Sequence, residues 1–302
     1  MQNTITGVSS VLRSNASNDE STTAALSSFD SNGFTLSGND PAWNGSQDYV
    51  AWCWKAGGTA VSNTDGSITS SVSANTDAGF SIVSYTGTGA NATVGHGLTE
   101  PPNFAIFKNR DNGSNWAVGS DAIDSWGTAL YLNLDSAKET TGGPFFNNGT
   151  NPTASVINLG SSANTNGNGN DMIAYCWHSV EGFSKFGSYT GNASGTSPNA
   201  DGPFVHLGFK PAFILVKRTD SSFGGEWSIH DTTRSPQNPN RLVIAADLPN
   251  NEITQGGIDF LSNGFKIRDG AGWTNQSGGS YIYAAFAESP FGGENAAPAT
   301  AR

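Results

Sequence analysis

The sequence predicts an all-β protein made of tandem β-sandwich units of the jelly-roll or lectin-like kind, two complete and one N-terminal half unit. Three observations carry that expectation. First, 38 glycines, 11% aromatic and only 13% charged residues in a chain of 302 suit short strands joined by polar turns better than helices. Second, one apolar strand is written three times: Tyr49-Val50-Ala51-Trp52-Cys53-Trp54, Met172-Ile173-Ala174-Tyr175-Cys176-Trp177 and Tyr281-Ile282-Tyr283-Ala284-Ala285-Phe286. Third, a Gly/Asn turn precedes each copy, at Asn44-Gly45-Ser46, Asn166 to Gly169 and Asn275 to Gly279.

In each copy of that strand both alternating sets of side chains are apolar, so each is expected to be a central strand covered on both faces. Trp52, Cys53, Trp54, Tyr175, Cys176, Trp177 and Phe286 are therefore expected in cores. Before each turn lies a shorter strand: Gly33 to Leu36, Ser155 to Leu159 and Gly264 to Ile267, predicted to form a hairpin with the apolar strand after it. The phrases Phe29-Asp30-Ser31-Asn32-Gly33-Phe34 and Phe260-Leu261-Ser262-Asn263-Gly264-Phe265 align without gaps, their Asn-Gly supplying a positive-φ turn between apolar anchors. An earlier strand also recurs, as Ser10 to Arg13, Leu130 to Asn133 and Leu242 to Ala245.

The front of the unit occurs only twice. Gly79 to Gly87 pairs with Gly182 to Gly191; each is followed by proline, a strand ending in lysine (Phe104 to Lys108, Phe213 to Lys217) and a tryptophan strand (Trp116 to Val118, Trp227 to Ile229). The expected organisation is a half unit at 1–57, an extended polar connector at 58–78, a complete unit at 79–181 and a second complete unit at 182–302, its irregular tail running from Gly292 to Arg302. A half unit leaves strand edges and an apolar face that something must cover. Three explanations compete: a fragment of a longer protein, a sheet completed by another subunit, or docking in cis.

A formal net charge of −11 with no Lys/Arg run gives no footprint for a phosphate backbone, so nucleic acid is not an expected partner. No apolar stretch approaches the roughly 20 residues of a membrane helix, and no export signal opens the sequence. Asn-x-Ser/Thr sequons at Asn15, Asn44, Asn91, Asn112, Asn148, Asn192 and Asn275 are read as chance in an Asn/Ser/Thr-rich chain.

Candidate chemistry is sparse. Cys53 and Cys176 occupy one position in two copies, which excludes a bridge within a unit and predicts small buried thiols. His96, His178, His206 and His230 fall at different places, never at metal-ligand spacing. His230-Asp231 beside Trp227 is the most site-like pair, yet a strand-end turn is the better reading. Loops at Asn63 to Asp65, Asp111 to Gly113, Asn168 to Asp171 and Asp269-Gly270 are oxygen-rich; Ca²⁺ is conceivable there without the spacing of a known loop, and no cofactor is expected. Trp43, Trp126 and Trp273 are expected in loops, as contacts to a ligand such as a sugar or to the next unit.

The phrases "GFSIVSYTGTG", "GFSKFGSYTGN", "FLSNGFKIR" and "YIYAAFAESPFGG" resemble a repeat domain of unknown function found in marine bacteriophage virion proteins. The resemblance spans nearly the whole chain, implies a tail or other structural role, and brings no catalytic residues. The expectation is thus a non-enzymatic structural protein, virion-borne or extracellular, forming a homo-oligomer or polymer through strand complementation of residues 1–57. A carbohydrate-binding adhesin for surface glycans is the alternative, and a tail-spike polysaccharide-degrading enzyme, which would need paired carboxylates on a groove, the weaker one.

Overall fold

The structure is a computed structural model and describes residues 1–38, 40–140, 144–270 and 272–287. The expected C-terminal tail and the phrase beyond Ala287 lie outside the described residues, as does the side chain of Asn148. Among the described residues the fold is almost entirely β. The N-terminal region holds β1 (Ser10–Val11), β2 (Ser21–Thr22), β3 (Leu26–Asp30) and β4 (Gly33–Leu36). Next come β5 (Val61–Asn63), β6 (Ser70–Asn75), β7 (Phe80–Thr86), β8 (Ala92–Gly95), β9 (Phe104–Asn109), β10 (Ala117–Ser120), β11 (Leu130–Tyr131), β12 (Val156–Leu159) and β13 (Asp171–Trp177). The last stretch holds β14 (Ser184–Thr190), β15 (Phe204–His206), β16 (Pro211–Arg218), β17 (Ser228–Asp231), β18 (Asn240–Ala245), β19 (Ile253–Leu261), β20 (Gly264–Ile267) and β21 (Ser280–Ala287).

Two large antiparallel sheets dominate. The first has the order β11-β10-β9-β13-β7-β6-β5, and the second β14-β21-β16-β17-β18-β19-β20-β15. The second curls until its edge strands approach: Lys185 Nζ on β14 donates to the His206 carbonyl on β15 at 2.9 Å, giving a nearly closed, barrel-like sheet. The expected apolar strands β13 and β21 are central. β13 lies between β7 and β9, Tyr175 opposite Ile82 and Ile106; β21 lies between β14 and β16, Ala284 opposite Phe186 and Leu215.

Strand alternation sorts the side chains into three cores. Met172, Ala174 and Cys176 point with Val83, Phe107 and Ile157 into a core closed by the small β12-β8 sheet. Tyr281, Tyr283 and Ala285 point with Phe209, Ile258 and Phe265 into the curled second sheet. The remaining faces of the two sheets, Ile173, Tyr175 and Trp177 on one side and Ile282, Ala284 and Phe286 on the other, meet in a third core together with Trp116, Trp227 and Leu12. The chain is therefore not a string of separate sandwiches, because one core is shared by residues from its beginning, middle and end.

Several expectations need correction. Residues 49–54 form no strand: Trp52 and Trp54 are half-buried, and Cys53, expected in a core, is exposed. A central strand needs a hydrogen-bonded neighbour on each side, and no described strand pairs with this segment in a sheet. The connector at 58–78 is also more than a connector, since β6 pairs along β7 and β5 pairs with β6. Serines disguised it: Ser70 and Ser73 are buried, and their hydroxyls donate to the Gly95 and Gly58 carbonyls at 2.9 and 2.7 Å. The predicted hairpins between β12 and β13 and between β20 and β21 do not form; β12 pairs with β8, while β20 pairs with β19 and β15. The Gly/Asn segment carries the chain between layers instead of turning it within one sheet. Finally, the strand aligned at Leu242 to Ala245 is offset by two residues. Trp116 N donates to Asn133 Oδ1 at 2.9 Å and Trp227 N to Asp247 Oδ1 at 3.0 Å, so Asn133 corresponds to Asp247.

Candidate interaction site

A buried lysine and an indole, used twice, fasten an earlier segment of backbone to a strand later in the chain. Lys108, the penultimate residue of β9, has no exposed surface, and its Nζ donates to the carbonyls of Ser17, Asn109, Asn112 and Ser114 at 2.7–3.2 Å. Trp116 Nε1 donates to the carbonyls of Arg13 and Ala16 at 2.9 and 3.1 Å. At the corresponding places of the second sheet, Lys217 Nζ donates to the carbonyls of Asp135, Ser136 and Gly225, and Trp227 Nε1 to the Tyr131 carbonyl at 2.8 Å. Each sheet thus grips backbone at the end of the preceding β1- or β11-type strand. Burial pushes both ammonium groups down to about 8, while the carbonyl cages keep polar partners on them. Arg110 adds an ion pair to Glu20 at 2.8 Å.

The N-terminal region also enters the shared core. Along 51–57 burial alternates: Trp52, Trp54 and Ala56 are half-buried, while Ala51, Cys53, Lys55 and Gly57 are exposed. This is the pattern of a strand with one face against a core. Trp54 meets Trp177 at 6.3 Å and Phe286 at 5.4 Å, the three residues that align in the thrice-written strand. Trp52 lies edge-on to Phe213 at 5.7 Å, donates Nε1 to Asp231 Oδ2 at 3.3 Å, and carries the Arg234 guanidinium at 5.6 Å from its ring centroid. The backbone of 49–57 makes no backbone–backbone hydrogen bond among the described residues.

The β3-β4 hairpin is open as well. Phe29 pairs with Phe34 across it, and both are exposed, at 37% and 38%. In the matching hairpin β19-β20, Phe260 and Phe265 are 6% and 0% exposed, and β20 is paired on its other side by β15. Apart from β3, β4 has no neighbouring strand among the described residues.

The residues singled out for chemistry are dispersed. Trp126 is buried, lying edge-on to Phe146 at 4.9 Å and over Gly119, where an added Cβ would sit 2.6 Å from its ring. It sits in a turn, as expected, with its ring buried in the core between the first sheet and β12-β8. Trp43 and Trp273 are half-buried in turns, and no described site unites them. Cys176 is buried, its thiol pushed up to about 12; Cys53 is exposed and both thiols are free. His230 and Asp231 are consecutive on β17 and so point to opposite faces of the sheet, which ends their reading as a dyad. His230, 1% exposed, is pushed down to about 4 by burial, and Asp231 is tied to Arg234 at 2.6 Å.

The oxygen-rich loops spend their oxygens internally. Asn63 Oδ1 accepts from Asp65 N at 3.0 Å, and Asp111 Oδ2 accepts from Asp171 N at 2.6 Å. No group of three His, Cys, Asp or Glu side chains with metal-binding geometry occurs among the described residues. Two surface hollows, of about 360 and 490 Å³, are shallow and polar; one lies at Pro198, Pro239 and the Asp259–Arg268 ion pair, the other between the 121–124 loop and Tyr189.

Fold and site together define an all-β protein whose best-developed surface feature is an unpaired strand-like segment and hairpin. The chain belongs to the family described as "Domain of unknown function (DUF7483)", whose model matches residues 1–290 and so crosses every boundary expected from the sequence. No curated protein and no solved structure matches.

Proposed function

We propose that this protein is a non-enzymatic structural component of a larger assembly, joined to its neighbours through residues 1–57. In this reading its two sheets and its N-terminal region are two and a half copies of one unit, and the incomplete copy is the joint. One observation carries it: the segment 49–57 and the hairpin β3-β4 have the sequence and alternation of paired strands and, among the described residues, stand without strand partners beyond their own hairpin. The sequence resemblance supports a virion tail, fibre or decoration, or an extracellular filament, as the setting.

The test is to fractionate native host lysate and virion preparations by sedimentation and follow the chain with an antibody. The reading expects the chain in particles or filaments far larger than one subunit. Recovery of the chain only as a free monomer would overturn it. The glycan-binding alternative retains Trp43 and Trp273, half-buried ahead of the same Gly/Asn turn in two copies. A glycan array probed with multivalent protein decides it.

A further inference from the structure

We propose that Asp247 and Glu226 share one proton, and that this carboxyl–carboxylate hydrogen bond locks the grip of the second sheet on residues 131–136 and loosens it as pH rises.

The first sheet shows what the pair must do. There Asn133 Oδ1 accepts from Trp116 N at 2.9 Å, and Asn133 Nδ2 donates to Asn115 Oδ1, also at 2.9 Å. The two amides thereby brace the tryptophan whose indole holds the Arg13 and Ala16 carbonyls. In the second sheet Asp247 Oδ1 accepts from Trp227 N at 3.0 Å, so Asp247 stands where Asn133 stands, and Glu226, immediately before Trp227, stands where Asn115 does. Two carboxyl groups replace two amides. An amide both donates and accepts, whereas an ionised carboxylate only accepts.

The oxygens left over are the ones that the first sheet joins. Asp247 is 5% exposed, and its Oδ2, like Glu226 Oε2, is buried without a hydrogen-bond partner among the described residues. Lys217 is close enough to feel both charges, yet its three ammonium hydrogens go to the carbonyls of Asp135, Ser136 and Gly225. It offers the carboxylates charge and no further hydrogen bond.

One proton between Asp247 Oδ2 and Glu226 Oε2 satisfies both oxygens and takes the place of the Asn133 N–H. It also leaves the pair with a single negative charge beside the single ammonium of Lys217. Two ionised carboxylates would repel in a medium of low dielectric, and a metal ion between them would face that ammonium. The charged groups that act on Asp247 are Lys217, from β16, and Glu226, while Asp135 acts on Lys217 from the gripped segment.

The sign of the pH response follows. Burial is the largest influence on Asp247 and raises its pKa above the ordinary carboxylate value, with the Glu226 charge acting in the same sense and the Trp227 N–H and Lys217 against it. In that window the folded chain keeps a proton that the unfolded chain releases, so stability falls as pH rises through it. The Asn115–Asn133 pair holds no such proton, and the two grips therefore respond differently.

Chemical denaturation of the full chain and of Asp247→Asn from about pH 4 to 7, below the titration of Lys217, tests the lock. His230 titrates in both chains and cancels in the comparison. The folding constant of the wild type relative to Asp247→Asn should fall at least about tenfold across this range. A ratio that stays flat or rises would overturn the proposal. Amide exchange at 131–136, corrected for its intrinsic rate, should quicken with pH in the wild type alone, and an equal response at 13–17 would contradict a lock confined to the second grip. Infrared titration decides the matter even where Asp247→Asn does not fold. A protonated-carboxyl stretch should persist in the wild type after exposed carboxyls have ionised, and should vanish in Glu226→Gln, whose amide can donate to an ionised Asp247. Its absence from the wild type, or its survival in Glu226→Gln, would overturn the shared proton. Stabilisation of the wild type by about 10 mM Ca²⁺ or Mg²⁺ that Asp247→Asn does not share would overturn it too, by making the pair a metal site.

Discussion

The hairpins β3-β4 and β19-β20 share the phrase Phe-x-Ser-Asn-Gly-Phe and differ in what surrounds them. In β19-β20 the two phenylalanines lie inside the curled second sheet, with β15 along the outer edge. In β3-β4 they remain 37% and 38% exposed, and the edge is bare among the described residues. Local sequence thus specifies the turn and the pairing of its two strands. Burial comes from strands further along the chain, and each of these partly exposed aromatic side chains forgoes a fraction, on the order of 1 kcal/mol, of the roughly 1.5–3 kcal/mol that full burial gives.

The largest expected effect comes from substituting the two hairpins in parallel. Phe265→Ala should cost about 3–5 kcal/mol, as for a fully enclosed core aromatic, and Phe34→Ala less than about 0.5 kcal/mol in the isolated chain. Chemical denaturation of both variants measures the contrast, and equal losses would mean that β3-β4 is covered after all.

Next in size are the lysine grips. Lys217→Met leaves three backbone carbonyls without their ammonium partner and should cost about 2–4 kcal/mol, with faster amide exchange at 131–136. The pH dependence has a definite sign. Each grip lysine titrates near 8 in the folded chain against an ordinary 10.5, so between those values the unfolded chain binds more protons. Its contribution to stability therefore rises with pH across that window. The difference between wild type and Lys217→Met should shift in that direction from pH 8 to 10, and the opposite slope would contradict the assignment.

His230 gives an effect of up to roughly 3 kcal/mol, confined to acid. Its folded pKa of about 4 lies below the ordinary 6.5, so the unfolded chain takes up a proton that the folded chain refuses, and stability falls as pH drops through that window. His230→Asn should flatten that part of the denaturation-versus-pH curve. Cys53→Ser, on the exposed face of the 49–57 segment, is the smallest, within about 0.5 kcal/mol, while Cys176→Ser buries a hydroxyl in the core between the first sheet and β12-β8 and should cost about 1–3 kcal/mol.

The all-β class and the strands β13 and β21 were legible because runs apolar on both faces fit little else than a central strand. The same reasoning failed at 49–54, whose side chains match but with which no described strand pairs; the burial of a central strand is a property of three strands, and one sequence segment cannot report it. Strand β6 was hidden because buried serines bonded to carbonyls look like linker, and β5 because its three residues are short of apolar burial. Trp126 is in a turn, as the sequence suggested, and the signal for the burial of its ring is Gly119, the strand position where the other sheet carries His230. Of the site, what the sequence offered was the expectation, from the repeat count, that residues 1–57 are an incomplete copy. The paired Lys/Trp grips were not, since their partners are backbone carbonyls of segments whose side chains give no hint.

The most direct test of the proposed N-terminal joint is amide exchange of the isolated full chain, comparing 49–57 with its aligned counterparts 172–177 and 281–287. An open joint requires 49–57 to exchange at least about a thousandfold faster than the other two, whose amides lie inside the sheets. Comparable protection in all three would show that 49–57 is already paired, and would contradict an open joint.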